Sequence, residues 1–571
     1  MEFIQKKTAD STVERFLTRA AESELSLVWD RYEGQLPECG FCETGLSCRD
    51  CLQGPCISHP FRDSNKQGVC GKDKDILAAQ SLLRLVLKGT MVYLDQLNDF
   101  AKGVESGVIK PKNKIKTDQI LKEIQNLLKD GGAQTKKEIP KYLIRNWEET
   151  GISPEGVPRD LFKASQKLEG GLEGVEETLL WSFKSSLLGS MAHWLQGNLK
   201  RSVFGDSTPT KVEVNLGALK KGAPNLLLYG SFSPILKCKI AEEAKKRGVY
   251  VTGVCSDPLI PPFSFPQVTN FGSQEIPILT GAVDLMVVGN QFVNPSLTKI
   301  AKEWEVPIIP ADGLKREKDL SHFARQIVEK AKKSFEFRRN IPKEIPEGKE
   351  VAMMGFSREN VDVKKVLGAL HKGQIKGIAI LAGSNNVKFT QDQENVSMAR
   401  EFLKNNILCL SKGEASVALA KYGFLRPDCR EKYCDQAFSN TLSSFGKEIP
   451  SILDFADGGI VDFLFDIAKA AKKELRDVPI IAVFPEAHRS SEVTEAMWTV
   501  AMGISTYVWP ALPVTGSQKT METLTKFCHE KFGARLNIVT EKKIDARAKA
   551  NLALKALQGE GVLSMSGKPW K

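Results

Sequence analysis

The chain has 571 residues, 42% of them hydrophobic and 26% charged, with a formal net charge of +11 at pH 7. That balance can bury globular cores in about three or four domains and excludes a disordered chain. No uninterrupted apolar run approaches the roughly 20 residues of a membrane helix, the amino terminus has neither a signal core nor a transit-peptide composition, and the lysines form no aromatic-spaced basic stripe. The expectation is therefore a cytoplasmic protein that binds neither membrane nor nucleic acid, its basic surface suited to an acidic electron carrier.

The cysteine loop comes first in the chain. Six of the twelve cysteines fall in the run Cys39-x2-Cys42-x5-Cys48-x2-Cys51-x4-Cys56-x13-Cys70. Thiolates at such spacings suit tetrahedral zinc or an iron–sulfur cluster, because soft sulfur ligands select those centres. Both remain open on spacing alone; a disulfide knot fits less well, since intracellular cysteines grouped this way are metal ligands more often than bridges. Helical periodicity follows over Asp75–Asn98 and Gly174–Leu199, and Lys102–Glu155 is rich in Lys, Glu and Asn. Residues 1–212 are expected to form a helical domain carrying the cysteine loop.

After the linker Ser207–Pro224, short apolar runs alternate with amphipathic segments: Asn225–Gly230, Val249–Cys255, Asp284–Gly289 and Val306–Ala311. This is the βαβ pattern of a parallel sheet covered on both faces. A second linker, Asn340–Glu350, separates it from a further series at Val351–Gly355, Gly377–Ala382, Ile407–Leu410, Ser451–Phe455, Pro479–Phe484 and Thr506–Trp509. The predicted architecture is α/β, with the helical domain followed by two Rossmann-like doubly wound domains, 213–345 and 346–571. Ligands of such sheets sit beyond the carboxyl ends of the strands. There the chain offers Ser231-Phe232, Cys255-Ser256-Asp257, Asn290-Gln291-Phe292, Ser384-Asn385-Asn386, Lys412-Gly413-Glu414, Asp457-Gly458-Gly459 and Pro485-Glu486-Ala487-His488. No Gly-x-Gly-x-x-Gly or Walker loop occurs among them, which argues against a nucleotide cofactor.

Four segments in order, Gly45-Leu46-Ser47-Cys48-x2-Cys51-x2-Gly54-Pro55-Cys56, Gly68-Val69-Cys70-Gly71, Thr280-Gly281-Ala282-Val283-Asp284-Leu285-Met286-Val287-Val288, and Gly383-Ser384-Asn385-Asn386 with Thr390-Gln391-Asp392, carry a resemblance. The chain resembles the catalytic subunit of anaerobic nickel–iron carbon monoxide dehydrogenase and, more distantly, the hybrid-cluster proteins. The resemblance implies a [4Fe–4S] cluster on Cys48, Cys51, Cys56 and Cys70. It also implies a cluster shared across the twofold axis of a homodimer, here a [4Fe–4S] or [2Fe–2S] centre on Cys39 and Cys42 from two chains. The family spacing differs at that pair: its second cysteine falls at Ser47, five residues after Cys42.

The family's nickel–iron site takes one histidine and five cysteines at the strand ends, and almost none recur. Their places hold Ser231 or Phe232, Cys255-Ser256, Phe292, Ser384, Glu414 and Gly458; the helix histidine falls on Tyr93 and the acid–base lysine on Ser491. One thiol cannot supply what such a centre needs, so no nickel binding and no carbon monoxide oxidation are expected. The primary reading is an iron–sulfur, electron-transferring homologue working with a redox partner such as ferredoxin or another enzyme subunit. The alternative is a redox enzyme with a remodelled, oxygen-rich site reducing a small molecule such as hydroxylamine. Its candidate catalytic residues are Cys255, Glu414, Asp457 and His488, with Asp257, Ser384 and Ser491 beside them; a genuine carbon monoxide dehydrogenase ranks last. The plainer reading is that an emptied pocket fills with whatever packs, as Phe232 and Phe292 suggest, leaving Cys255 a small hydrophobe. Cys429 and Cys434 read as ordinary thiols, and Cys238, Cys409 and Cys528 as core residues.

Overall fold

The computed structural model describes residues 6–59, 66–129, 138–169, 171–311, 319–455, 458–538 and 544–557. The cysteine loop carries a two-residue ladder, β1 (Ser47–Cys48) against β2 (Cys56–Ile57). Helix α1 (Lys74–Glu105) begins at Asp73, whose carboxylate accepts the amides of Asp75 and Ile76 at 3.0 and 2.9 Å, satisfying two donors that a helix start leaves free. It packs along α2 (Val175–Phe204), a helix buried on almost every side. By length and composition α1 could cross a membrane, but 56% of its apolar window is buried; against α2 it serves as a core helix.

Two sheets follow. The first has the order β10-β9-β4-β5-β8-β3-β11, built from β3 (Thr210–Val214), β4 (Asn225–Tyr229), β5 (Tyr250–Val254), β8 (Gln267–Thr269), β9 (Val283–Val288), β10 (Ile308–Pro310) and β11 (Glu350–Met354). The short ladder β6 (Leu259–Ile260) and β7 (Phe263–Ser264) stands apart from it. The second sheet is wholly parallel, in the order β14-β13-β12-β15-β16-β17, from β12 (Gly377–Leu381), β13 (Ile407–Ser411), β14 (Ile452–Asp454), β15 (Ile480–Phe484), β16 (Ser505–Val508) and β17 (Leu536–Ile538). Their central strands, such as β4, β12 and β15, are buried at every residue, as covering on both faces requires.

The strand Val351–Gly355, read from sequence with the third block, belongs to the first sheet: β11 runs antiparallel to β3 as its edge. The stretch Ser207–Pro224, read as a linker, contains β3 itself, and β17 went unread. Strand β3, Thr-Lys-Val-Glu-Val, lies between β8 and β11, but its charged residues break the continuous apolar run that marks a strand buried on both faces.

Helices α3 (Gly413–Ala420) and α4 (Ser490–Ala501) leave the ends of β13 and β15. Helix α4 is wedged against α1 and α2. A Cβ on Gly89 would collide with the Ser490 carbonyl and the Thr494 hydroxyl, and one on Gly189 would lie 3.1 Å from Thr494 Cγ2. The Thr494 hydroxyl instead donates to the Val86 carbonyl at 2.9 Å. Helical and sheet domains are thereby locked together where the strand ends open.

Candidate functional site

Cys39 caps the short helix Gly40–Glu43, and both Cys39 and Cys42 are exposed. The Cys42 amide and thiol hold the Cys39 thiol below its ordinary range. Glu38 and Glu43 flank the pair, and Lys388 from the loop after β12 bridges them at 2.7 and 3.2 Å.

Cys48 and Cys56 stand opposite each other in the β1–β2 ladder. The Val69 amide donates to Cys56 Sγ at 3.5 Å, and Arg84 Nη2 lies 3.8 Å from Cys48 Sγ. Arg84 reaches over from α1 and also clamps Asp50, Nε to Oδ1 at 2.8 Å and Nη2 to Oδ2 at 2.5 Å. Gly54 makes the tight turn possible: a Cβ there would sit 3.3 Å from the Cys56 nitrogen and 3.4 Å from the Cys48 carbonyl. Burial raises the Cys48 thiol while Arg84 opposes the rise. Among the described residues no three Cys, His, Asp or Glu side chains converge on one metal position. The donor set nonetheless fits an iron–sulfur cluster: four thiols from one loop, with an amide and a guanidinium already directed at two sulfurs.

The strand-end pocket has a different chemistry. Cys255, 8% exposed, holds a left-handed backbone (φ 52°), as does Phe292 (φ 66°). Both conformations are strained for residues with a side chain. Glu414, at the start of α3, accepts the Phe271 amide at 2.9 Å and the Cys255 thiol. Arg489, the residue before α4, lays its guanidinium 4.0 Å from the Phe292 ring centre and 5.1 Å from that of Phe271, beside Cys255 and Glu414. The Ser384 hydroxyl meets His488 Nδ1 at 2.6 Å, and the imidazole stacks on Phe271 at 4.0 Å. Burial and then the Glu414 carboxylate push the Cys255 thiol well up. Burial also raises Glu414, with Arg489 opposing. Burial and Arg489 together hold the His488 imidazole well below its usual range. Although surrounded by protein, His488 is exposed as a residue.

The other strand-end residues are engaged elsewhere. Burial works against Asp257, yet Lys200 and Lys237 hold its carboxyl below the ordinary range, Lys237 at 2.6 Å. Phe232 covers the Lys237 ammonium at 4.7 Å, and Ser231 bridges to Gln291. Asn385 donates to Glu486 and Asp392, both at 2.9 Å, and Lys421 joins Asp392 to Asp10 at 3.0 and 3.1 Å. The motif around Gly383–Asp392 is thus a buried latch between domains. Burial and the Asp392 carboxylate push Glu486 up to about 8. Ser491 is buried within α4, and Asp457 lies outside the described residues.

A second polar cluster, unforeseen from sequence, joins Lys412 to Glu495 at 2.8 Å and to His193 at 3.4 Å, with the Tyr93 hydroxyl 3.5 Å from Glu495. It borders a cavity of about 30 Å³ closed by Trp498, Met502 and Gly458. Arg489 and Phe271 were also missed. Arg489 follows His488 directly, so one more residue of the strand-end reading would have included it; Phe271 enters only through a contact between domains. Cys238, Cys409, Cys434 and Cys528 are buried, and Cys429 is half-buried.

A profile of the Prismane/CO dehydrogenase family matches residues 46–138 and 116–543. The chain is 28% identical to carbon monoxide dehydrogenase 1 of Carboxydothermus hydrogenoformans, across 98% of this chain and 99% of that one. It is 29% identical to carbon monoxide dehydrogenase 1 of Methanosarcina mazei, across 97% of each. Among solved structures, carbon monoxide dehydrogenase IV from Carboxydothermus hydrogenoformans aligns with a TM-score of 0.90 at 27% identity, covering 97% of this chain and 99% of the other. A nickel-free carbon monoxide dehydrogenase from Thermococcus sp. AM4 gives 0.89 at 25% identity, covering 97% and 96%. Matched in sequence and in fold from end to end, the chain belongs to the Prismane/CO dehydrogenase family.

Proposed function

We propose that this protein is an iron–sulfur electron-transfer member of its family that does not oxidise carbon monoxide. In this reading Cys48, Cys51, Cys56 and Cys70 hold a [4Fe–4S] cluster. Cys39 and Cys42 of two chains hold a second cluster on the axis of a cytoplasmic homodimer, and a ferredoxin or a partner subunit exchanges electrons with it. Such clusters supply one-electron transfer when bound; this chain's part is to present the thiols, direct Val69 and Arg84 at them and clamp the loop to α1 through Asp50.

One observation carries the second half of the proposal. The strand ends that would hold a nickel–iron centre present one thiol, Cys255, next to a guanidinium stacked on Phe292 at 4.0 Å. A fixed positive charge and an aromatic ring stand where thiolates would neutralise metal charge, and Tyr93 and Ser491 offer no group that titrates near pH 7. The donor set does not fit the nickel–iron group.

Metal analysis and a carbon monoxide assay on anaerobically purified protein test this. About four to six irons per chain, no nickel and background viologen reduction under carbon monoxide are expected. Nickel with about eight irons per chain, and turnover abolished by Cys255→Ala, would overturn it. The pairing of Ser384 with an accessible His488 at 2.6 Å favours, as the second reading, reduction of a small nitrogen compound at this pocket. Hydroxylamine-dependent oxidation of reduced viologen would support that reading, and no oxidation above background would remove it.

A further inference from the structure

Arg489 is an enclosed cation with donors to spare. Its guanidinium hydrogen-bonds the Cys255 sulfur, yet Nε and Nη2 are both buried and left without a partner. These two nitrogens form one edge of the guanidinium fork, the edge that matches the paired oxygens of a carboxylate-shaped group. A buried donor without an acceptor costs about 1–3 kcal/mol, more when charged, and a guanidinium does not shed its proton to escape that cost.

The nearby carboxylates are otherwise engaged. Glu414 takes the Phe271 amide and the Cys255 thiol, and Glu492 accepts the amides of His488 and Arg489 at 2.8 and 3.0 Å. The rings of Phe292 and Phe271 stand over the guanidinium at 4.0 and 5.1 Å, which leaves the in-plane edge for polar recognition. His488 stacks on the same Phe271 and commits Nδ1 to Ser384, so Nε2 of this exposed residue remains free to face a ligand.

The geometry points to a binding site in this pocket for a small planar oxyanion of the nitrite or carboxylate type, its two oxygens on Arg489 Nε and Nη2 and the His488 imidazole completing the polar lining. The inference rests on the reading that no metal cluster fills the pocket. The fork by itself pairs with tetrahedral oxyanions as well as planar ones; the preference for a planar anion rests on the rings of Phe292 and Phe271 over the guanidinium, which leave space only in its plane.

The test uses the full-length, anaerobically purified protein without added reductant, with iron and nickel counted on the same preparation. Sodium nitrite and sodium formate are titrated by calorimetry and by thermal shift, against sodium sulfate and chloride at matched ionic strength. Saturable binding of nitrite or formate is expected by calorimetry, with none for sulfate, and a melting temperature that climbs with ligand concentration by more than the general stabilisation sulfate gives through exclusion from the surface. Arg489→Lys keeps the charge but loses the fork, and should weaken binding at least about tenfold with the iron content unchanged. His488→Gln, which alters the lining without touching the cation, should weaken it severalfold and serves if the Arg489 variant does not fold. Absence of saturable binding with about four to six irons per chain, or equal affinity in wild type and both variants, overturns the oxyanion site and leaves the electron-transfer reading standing. About eight irons with nickel overturns both.

Discussion

The cysteine loop and the strand-end pocket differ in what each places around sulfur. The loop gathers six thiols, four of them exposed, and directs an amide and a guanidinium at two. The pocket buries one thiol beside a carboxylate that raises it further. Hydrogen-bond donors stabilise thiolate, whereas burial and a neighbouring anion oppose it. Electrostatics alone does not separate the two sites, since Cys48 too is raised by burial and by the Asp50 carboxylate, and Arg489 opposes the rise at Cys255 as Arg84 does at Cys48; what separates them is the number of thiols, six against one.

The strongest way to break this contrast is to remove one thiol from each site. Cys51→Ala should cost about four irons per chain and the reduced-state paramagnetic signal, and should destabilise the amino-terminal domain because cluster binding and loop folding are coupled. Cys255→Ala should cost no iron. Equal losses from the two variants, measured by iron analysis and electron paramagnetic resonance, would erase the distinction.

Next in size is the axial pair. Cys42→Ser should remove the shared cluster, about one or two irons per chain, while the cubane signal persists and the dimer weakens in sedimentation. A cluster retained within single chains at these residues would contradict the proposed symmetry.

The third prediction concerns the buried ion pair of Asp257 with Lys237, outside the pocket. Asp257→Asn leaves Lys237, 1% exposed, as a buried cation without its counter-ion, and should destabilise by about 3 kcal/mol. The lysines lower the folded carboxyl, so the unfolded chain takes up the proton first as pH falls. The contribution is therefore complete above the unfolded carboxyl's pKa of about 4 and is lost progressively as pH falls from there toward the depressed folded value. Urea midpoints at pH 7 and at decreasing pH should converge for wild type and variant; a constant gap would refute the linkage. The smallest effect belongs to the Lys388 bridge. Lys388→Ala should cost no more than about 1 kcal/mol, yet shift the cubane and axial signals unequally if the bridge orders only the Cys39–Cys42 turn.

Much of this division was legible in the sequence, and for definite reasons. The cysteine loop is local, so spacing and motif carried it, and the central strands announced themselves by continuous apolar runs. The strand-end rule found Cys255, Glu414, Ser384 and His488, because in a parallel sheet chain order gives the position of each strand end. It could not find Phe271, which joins them from a short turn across the domain boundary, nor the Lys412–Glu495–Tyr93 chain, whose members come from three distant segments. Arg489 lies one residue beyond the strand-end segment Pro485–His488. Only the stacking of Phe292 and Phe271 reveals that it is enclosed. Strand β3 escaped because its charged residues break the apolar run, and β11, read as a strand, was given to the wrong sheet because its pairing with β3, Thr210 with Met354, spans 144 residues and leaves no periodic trace.

The glycine notch that seats α4 has a wider consequence. Because Gly89 and Gly189 let this helix rest directly on the helical domain, the place where the pocket forms is fixed by backbone contact remote from any ligand. The cleft keeps its outline whatever lines it. A pocket outline held in that way by backbone contact does not depend on the side chains that line it, so those side chains are open to replacement without refolding of the scaffold.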